Sequence, residues 1–185
     1  PVCLETNAVV ALYTADPPHV DIWAGTQAPF FARKEVAHIL DLPSEAVRIH
    51  AVLIGGGFGG KSQAPEPIGI AALLARKAGR PVRIVTSRWE EFVAGKADHA
   101  KTMRVTTAAD ADGRITARRT AFEVDNGAFT HMGLAYTSAV RQRTANLYRT
   151  EAAAFDGRLV YTNKVPRGSY RGMCVPQITR PIESQ

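Results

Sequence analysis

Between Ile54 and Gln63 the chain reads IGGGFGGKSQ, five glycines around a single phenylalanine. Neither a regular helix nor a strand is favoured through such a run, because glycine loses more backbone freedom on ordering than any other residue. The stretch before it, AVRIHAVLI over residues 46–54, first alternates and then runs apolar. That pattern reads as a strand feeding directly into a glycine turn. A fold for this chain has to hold that turn and do one of two things with it. Either another surface packs closely on the bare backbone, or the exposed main-chain N–H groups serve a ligand.

Two nucleotide motifs overlap here. Gly55 to Ser62 match G-x-x-x-x-G-K-[ST], and Gly55, Gly57 and Gly60 match G-x-G-x-x-G. A phosphate-binding loop needs a helix starting at the Gly60-Lys61-Ser62 end and an acidic strand terminus for magnesium. Pro65 and Pro67, with Glu66 between them, favour an extended link instead, and no apolar strand ends in Asp. A dinucleotide site calls for an acidic residue about 20 positions on. The next strand, VRIVT, ends in Thr86-Ser87-Arg88, where Arg88 leaves an NADP 2′-phosphate site open. A plain structural turn is the third reading. Two or three glycines satisfy it, whereas five leave several N–H groups bare for a ligand.

Around the loop the elements alternate. Residues 8–14 and 20–24 read as strands about the Asp16-Pro17-Pro18 turn, and Pro29 to Leu42 as a helix stopped by Pro43. Ile68 to Lys77 is a strong helix former, ended by Gly79 and Pro81, and residues 82–86 return as a strand. Strand, helix and strand in that order predict a crossover onto a shared sheet. KTMRVTTAA, DADG and RITARRTAFEVD predict a long hairpin turning at Gly113, which rules out a purely parallel sheet. A helix is expected near Ala135 to Tyr148 and a strand at RLVYT, residues 158–162. The fold class is α+β, mixed sheets with packed helices.

Composition bounds the function. With 185 residues the chain is long enough for one domain with a core, and no linker-like break divides it. A net charge of +6 admits an anionic ligand or an acidic partner. The arginines are scattered and few aromatics lie among them, which argues against nucleic acid. No apolar run of about 18 residues is present, so no membrane span is expected. Cys3 and Cys174 stand far apart in no C-x-x-C spacing, and the five histidines form no i, i+4 pair. Neither pattern makes a structural zinc site, and two cysteines fit a reducing, cytoplasmic setting. The first residue is Pro1, and the end stops in polar residues able to open a helix, which fits a piece of a longer polypeptide.

A second stretch changes the weighting. VPRGSYRGMCVPQ at residues 165–177, GGGFGGK, and GTQAPFFARKEVAHILDLP before it together resemble the molybdenum hydroxylases. That is the large subunit of the xanthine dehydrogenase and aldehyde oxidase family. LETNAVVA, GRPVRIVTSRWEEF and DADGRITA carry the resemblance over the whole chain. It implies that residues 1–185 are part of a molybdopterin-binding domain. The cofactor would be a pyranopterin whose dithiolene sulfurs hold molybdenum, so no residue here is a direct metal ligand. Mapped onto this sequence, the cofactor-binding positions are Gln27, Gly57, Phe58, Gly59, Gly60 and Arg171. A neutral amide such as Gln27 can donate a hydrogen bond to an oxygen ligand of the metal without adding charge.

The resemblance further implies hydroxylation of an aldehyde or N-heterocycle carbon with oxygen from water. Electrons would pass to [2Fe–2S] clusters and FAD on partner domains or subunits. The catalytic glutamate of the family lies later in its subunit. No catalytic residue is therefore assigned here, and Glu5, Glu66, Glu90, Glu91, Glu123, Glu151 and Glu183 are not nominated as the base. The chain alone would hold half a site, inactive without the remainder of the same subunit. Three departures bear on the small-molecule substrate. Ser62 stands where purine-oxidising members carry a glutamate, which argues against xanthine. Met173 and Cys174 replace an aromatic segment and imply a pocket of different shape. Family members that oxidise carbon monoxide hold copper on a cysteine, but Cys174 is offset from that position, and a small buried residue is the preferred reading. A nucleotide-binding protein and a non-catalytic scaffold remain the alternatives.

Overall fold

β1 (Ala8–Ala15) and β2 (Pro18–Ala24) form the expected antiparallel hairpin, with Val9 opposite Ala24 and Ala15 opposite Pro18. Their alternation sends Val9, Ala11, Val20, Ile22 and Ala24 into the core. Two helices cover that face. α1 (Pro29–Leu40) contributes Ala32, Val36, Ala37 and Leu40, and α2 (Glu66–Ala78) contributes Ile68, Ala71, Ala72 and Ala75. The buried face of α2 is mostly alanine, so the helix lies close to the sheet. α1 stops two residues short of the Leu42 expectation, because Asp41 turns into the left-handed region at φ 53° before Pro43.

β3 (Val47–Ala51) follows a single 3-10 turn and pairs parallel with β2, while β4 (Val82–Val85) pairs antiparallel with β1. The sheet order is β3-β2-β1-β4. The strand, helix and strand of the crossover thus share a sheet, but at its two edges, with the hairpin between them. β3 ends at Ala51, three residues before the expected Ile54. The expected extended link is corrected as well. Glu66 and Pro67 open α2, where a proline costs nothing because first-turn N–H groups have no helical acceptor; Pro65 lies outside the described residues. α3 (Arg88–Val93) was not expected. Its signal is Ser87-Arg88-Trp89-Glu90, a capping box in which Ser87 accepts from the Glu90 N–H and Glu90 accepts from the Ser87 N–H.

The remaining chain makes a second sheet, ordered β5-β6-β7. β5 (Lys101–Ala109) and β6 (Ile115–Gly127) are the predicted hairpin. At its turn Asp110 Oδ1 accepts the Asp112 and Arg114 N–H groups, and Gly113 takes φ +80°. β7 (Ala152–Tyr161) pairs parallel with β6 and begins six residues before RLVYT. α4 (Gly133–Asn146) and α5 (Val175–Glu183) close a second core around Phe122, Val124, Tyr136, Val140 and Ile178.

Both sheets are mixed, as the α+β reading requires. Residues 2–62 and 66–184 are described by this computed structural model, which divides into two compact units, Pro1–Gly95 and Lys96–Gln185. No composition break marks that division. It follows from which strands pair, and each unit is described by itself below. None of the helices among the described residues is long and apolar enough to cross a membrane.

Ile22 is wholly buried whereas Leu53 is 98% exposed. Truncating Ile22 to alanine is expected to cost about 2–5 kcal/mol, and truncating Leu53 less than about 0.5 kcal/mol, read as shifts in the urea unfolding midpoint.

Candidate functional site

The glycine loop leaves the end of β3 and folds as a turn over residues 58–61. Gly56 and Gly59 take φ +97° and +92°, and Phe58 itself is left-handed at φ 49°. Only glycine suits the first two cheaply. Gly57 is required for a different reason. A Cβ placed there would meet Gln27 Oε1 at 2.4 Å. Gln27 therefore lies flat on the loop, and its Oε1 accepts the Gly59 N–H at 3.0 Å and the Lys61 N–H at 3.3 Å. Two donors on one atom fix the amide's orientation: that atom is the oxygen. The Gln27 N–H in turn reaches the Lys61 carbonyl at 2.8 Å. What remains of the exposed carboxamide is Nε2, a donor with no partner among the described residues.

The glycine loop was expected to leave several N–H groups bare, and part of that inventory is already taken. Gly59 is occupied by Gln27, and the Gly60 N–H bonds the Gly57 carbonyl at 2.7 Å. The N–H groups without an acceptor among the described residues are those of Gly56 and Gly57, and Gly57 is buried. Ser62 folds its hydroxyl back onto the Gly59 carbonyl at 2.6 Å.

Beneath the loop lies a polar network that no motif named. Lys61 is buried, its ammonium 2.7 Å from Glu5 Oε2, and the same oxygen accepts the Gly55 N–H at 2.8 Å. The Lys61 hydrogen bond, then the Gly55 N–H, hold the Glu5 carboxyl below its usual range. Cys3 donates its buried thiol to the Gly57 carbonyl at 3.5 Å, and Arg88 Nη2 donates to the Cys3 and Leu4 carbonyls. Glu91 Oε1 gathers the Asn7 N–H, the Asn7 side-chain amide and the Thr86 hydroxyl. Burial alone would raise the Glu91 carboxyl; these donors reverse that and lower it. Sequence spacing could not link Glu5 to Lys61. The acidic residue of LETN and the basic one of GGK are the only signals.

This geometry removes the phosphate-binding reading. Lys61 spends its charge on Glu5, and the next helix begins at Glu66, not at Gly60. Arg88, the NADP candidate, is taken up by main-chain carbonyls.

In the second unit Asp125 sits where β6 ends. Burial would raise its carboxyl, but the Thr162 hydroxyl, the Gly127 N–H and the Arg167 guanidinium outweigh it and hold the group well below the usual carboxylate range. Arg171 is exposed on the turn that precedes α5. Met173 is half-buried, and its carbonyl accepts from Arg143. Cys174 is fully buried, caps α5 in the left-handed region at φ 66°, and receives an Arg143 N–H on its sulfur at 3.2 Å. Its thiol thus packs into the core of this unit, as a small buried residue. Lys101 lies over the Tyr136 ring, 3.4 Å from the Cys174 carbonyl, and burial pushes its amine down to about 8. No cluster of three metal-ligating side chains exists among the described residues.

The donor set of the first unit therefore fits an acceptor-rich or anionic heterocycle: an oriented amide NH₂, two unclaimed main-chain N–H groups and no carboxylate within the loop. Comparison with known proteins gives the family. The chain matches the molybdopterin cofactor-binding domain family over residues 1–185. It is 32% identical over 182 residues to the xanthine dehydrogenase molybdenum-binding subunit of Escherichia coli O157:H7, covering 98% of this chain and 24% of that protein. It is 34% identical to the nicotinate dehydrogenase large molybdopterin subunit of Eubacterium barkeri, covering 98% of this chain and 42% of that one. The crystal structure of quinoline 2-oxidoreductase from Pseudomonas putida 86 superimposes with a TM-score of 0.80 at 29% identity, over 92% of this chain and 22% of the other. The chain thus spans about a quarter of the length of the first of these relatives.

Gly57→Ala should push Gln27 off the loop while leaving both cores intact. Amide exchange at Gly59 and Lys61 is expected to accelerate by about tenfold or more with unchanged circular dichroism. In the second unit, the stability that Asp125 contributes is present above the unfolded value of about 3.9 and is lost as pH falls below it toward the lower folded value. Asp125→Asn should remove this acid-dependent limb, measured by unfolding between about pH 5 and pH 2.

Proposed function

The chain belongs to the molybdopterin cofactor-binding domain family, and from that membership we propose that it forms one wall of the cofactor site in a molybdenum hydroxylase. The substrate class is an aldehyde or an N-heterocycle, oxidised at carbon with oxygen from water. The names of the relatives, which concern xanthine, nicotinate and quinoline, support the heterocycle arm. Electrons pass to iron–sulfur and flavin centres elsewhere in the assembly, and the setting is cytoplasmic.

The observation that carries this reading is Gln27. Two main-chain donors hold its Oε1, so its Nε2 is presented as a donor. The unclaimed Gly56 and Gly57 N–H groups add two more, with Phe58 half-exposed beside them and Gly59 and Gly60 shaping the turn. When bound, the cofactor supplies a two-electron acceptor and a metal that activates oxygen for transfer. The residues of this chain bind and orient. Gln27 donates without bringing a charge, and the absence of a free carboxylate in the loop avoids a competing ligand. In the second unit, Arg171 is the proposed contact to the pterin region and Met173 the proposed contact to substrate. The general base belongs to sequence outside this chain.

The Ser62 hydroxyl is tied back to Gly59 and does not replace a glutamate that would hold a purine. Xanthine is accordingly a poor substrate in this reading. The full-length protein, produced in cells that make the cofactor, is expected to carry about one molybdenum per subunit by mass spectrometry. Gln27→Ala is expected to reduce turnover of the best aldehyde or N-heterocycle about 10–100-fold, the range typical of groups that orient a metal site. Turnover of xanthine equal to that of the best substrate would refute the Ser62 argument.

A further inference from the structure

Glu5 Oε2 touches the glycine loop at both ends. It accepts the Gly55 N–H at 2.8 Å, where the loop begins, and the Lys61 ammonium at 2.7 Å, where it ends. The Glu5 N–H also returns to the Gly55 carbonyl at 3.3 Å. Lys61 is the residue on which Gln27 is mounted. Its N–H meets Gln27 Oε1, and its carbonyl receives the Gln27 N–H and the Thr26 hydroxyl. We propose that Lys61 and Glu5 are positioning residues for Gln27: their ion pair, buried at its lysine end, fixes the peptide groups that hold the carboxamide at one orientation. The proposal rests on the reading of this loop as a cofactor cradle.

The physical case has three parts. A loop of five glycines has little intrinsic preference for one shape, so its geometry must be imposed from outside. The Lys61 side chain is 3% exposed, which places its charge where Glu5 is its direct partner. Removing the carboxylate leaves a buried ammonium unpaired, which favours loop arrangements that bring it to water. Such arrangements move the Lys61 peptide, and Gln27 moves with it. Glu5 is itself held by its neighbours: Arg88 fixes the Cys3 and Leu4 carbonyls, and the Cys3 thiol reaches the Gly57 carbonyl. The basic residue that makes the loop resemble a phosphate site is thus used to orient a neutral amide.

The test uses the full-length protein with Lys61→Met, Glu5→Gln and the conservative Lys61→Arg. Hydrogen exchange of the peptide spanning residues 55–62 is read on cofactor-free protein. Molybdenum content and steady-state kinetics per molybdenum are read on loaded protein. Expected in Lys61→Met is exchange faster by about tenfold in that peptide alone, with β1 and α1 unchanged. Also expected is kcat per molybdenum lower by about tenfold or more with KM changed less than about threefold, as for an orienting group. Lys61→Arg should recover most of both. If Lys61→Met does not accumulate, Glu5→Gln serves, since its amide oxygen still accepts from Gly55. Unchanged loop exchange, or loss of molybdenum with unaltered kcat per remaining molybdenum, would overturn the positioning role. A wild-type protein without molybdenum would instead sink the cofactor reading, and the exchange arm would still decide whether the pair orders the loop.

Discussion

One carboxylate oxygen, Glu5 Oε2, ties the start of the glycine loop to its end. The rest of the site depends on that tie. With Lys61 fixed, its N–H and carbonyl are fixed, and Gln27 is held by main chain and side chain alike. With Gln27 fixed, Gly57 has no room for a side chain. A permissive sequence is thereby converted into one shape by a charge pair whose lysine is buried. Leaving the buried Lys61 ammonium without its carboxylate is costly, so the pair discriminates against arrangements that part them.

The scaffold explains why the tie can exist. Glu5 precedes β1, Gln27 follows β2 and Lys61 follows β3, so the sheet order β3-β2-β1 brings three chain segments to the same region. α3 secures the first of them. Its Arg88 and Glu91 grip the main chain at Cys3, Leu4 and Asn7, and its capping box keeps that short helix formed. The second unit has its own anchor in Asp125, whose acceptors are filled by Thr162, Gly127 and Arg167. Both units use a carboxylate that gathers several donors near the end of a strand.

Resemblance to nucleotide-binding loops is instructive because the motif is present and the chemistry is not. Gly55 to Ser62 satisfy the phosphate-loop pattern residue by residue. That pattern acts through a lysine free to reach phosphate and a helix whose N-terminus follows immediately. Here the lysine points inward to a carboxylate and the helix begins later, at Glu66. A basic residue in a glycine loop is a cation for a ligand only if no acid elsewhere in the fold claims it.

Sequence alone determined the elements whose signals are local. The β1–β2 and β5–β6 hairpins, the helices after Pro29 and around Ile68, and the turn at Gly113 follow from alternation, periodicity and turn chemistry, which act within a few residues. The glycine loop declared itself in the same way, and so did its match in order and spacing to a known family. Tertiary structure decided what spacing cannot encode. β3 and β4 went to opposite edges of one sheet because the β1–β2 hairpin paired between them. The chain divided into two units although no linker marks the place. Above all, Lys61 found Glu5 across 56 positions of sequence, an encounter set by three strands packing side by side. Local patterns fix which segments are strands, helices and turns; only packing fixes which distant charges meet, and that meeting decided what the loop's lysine does.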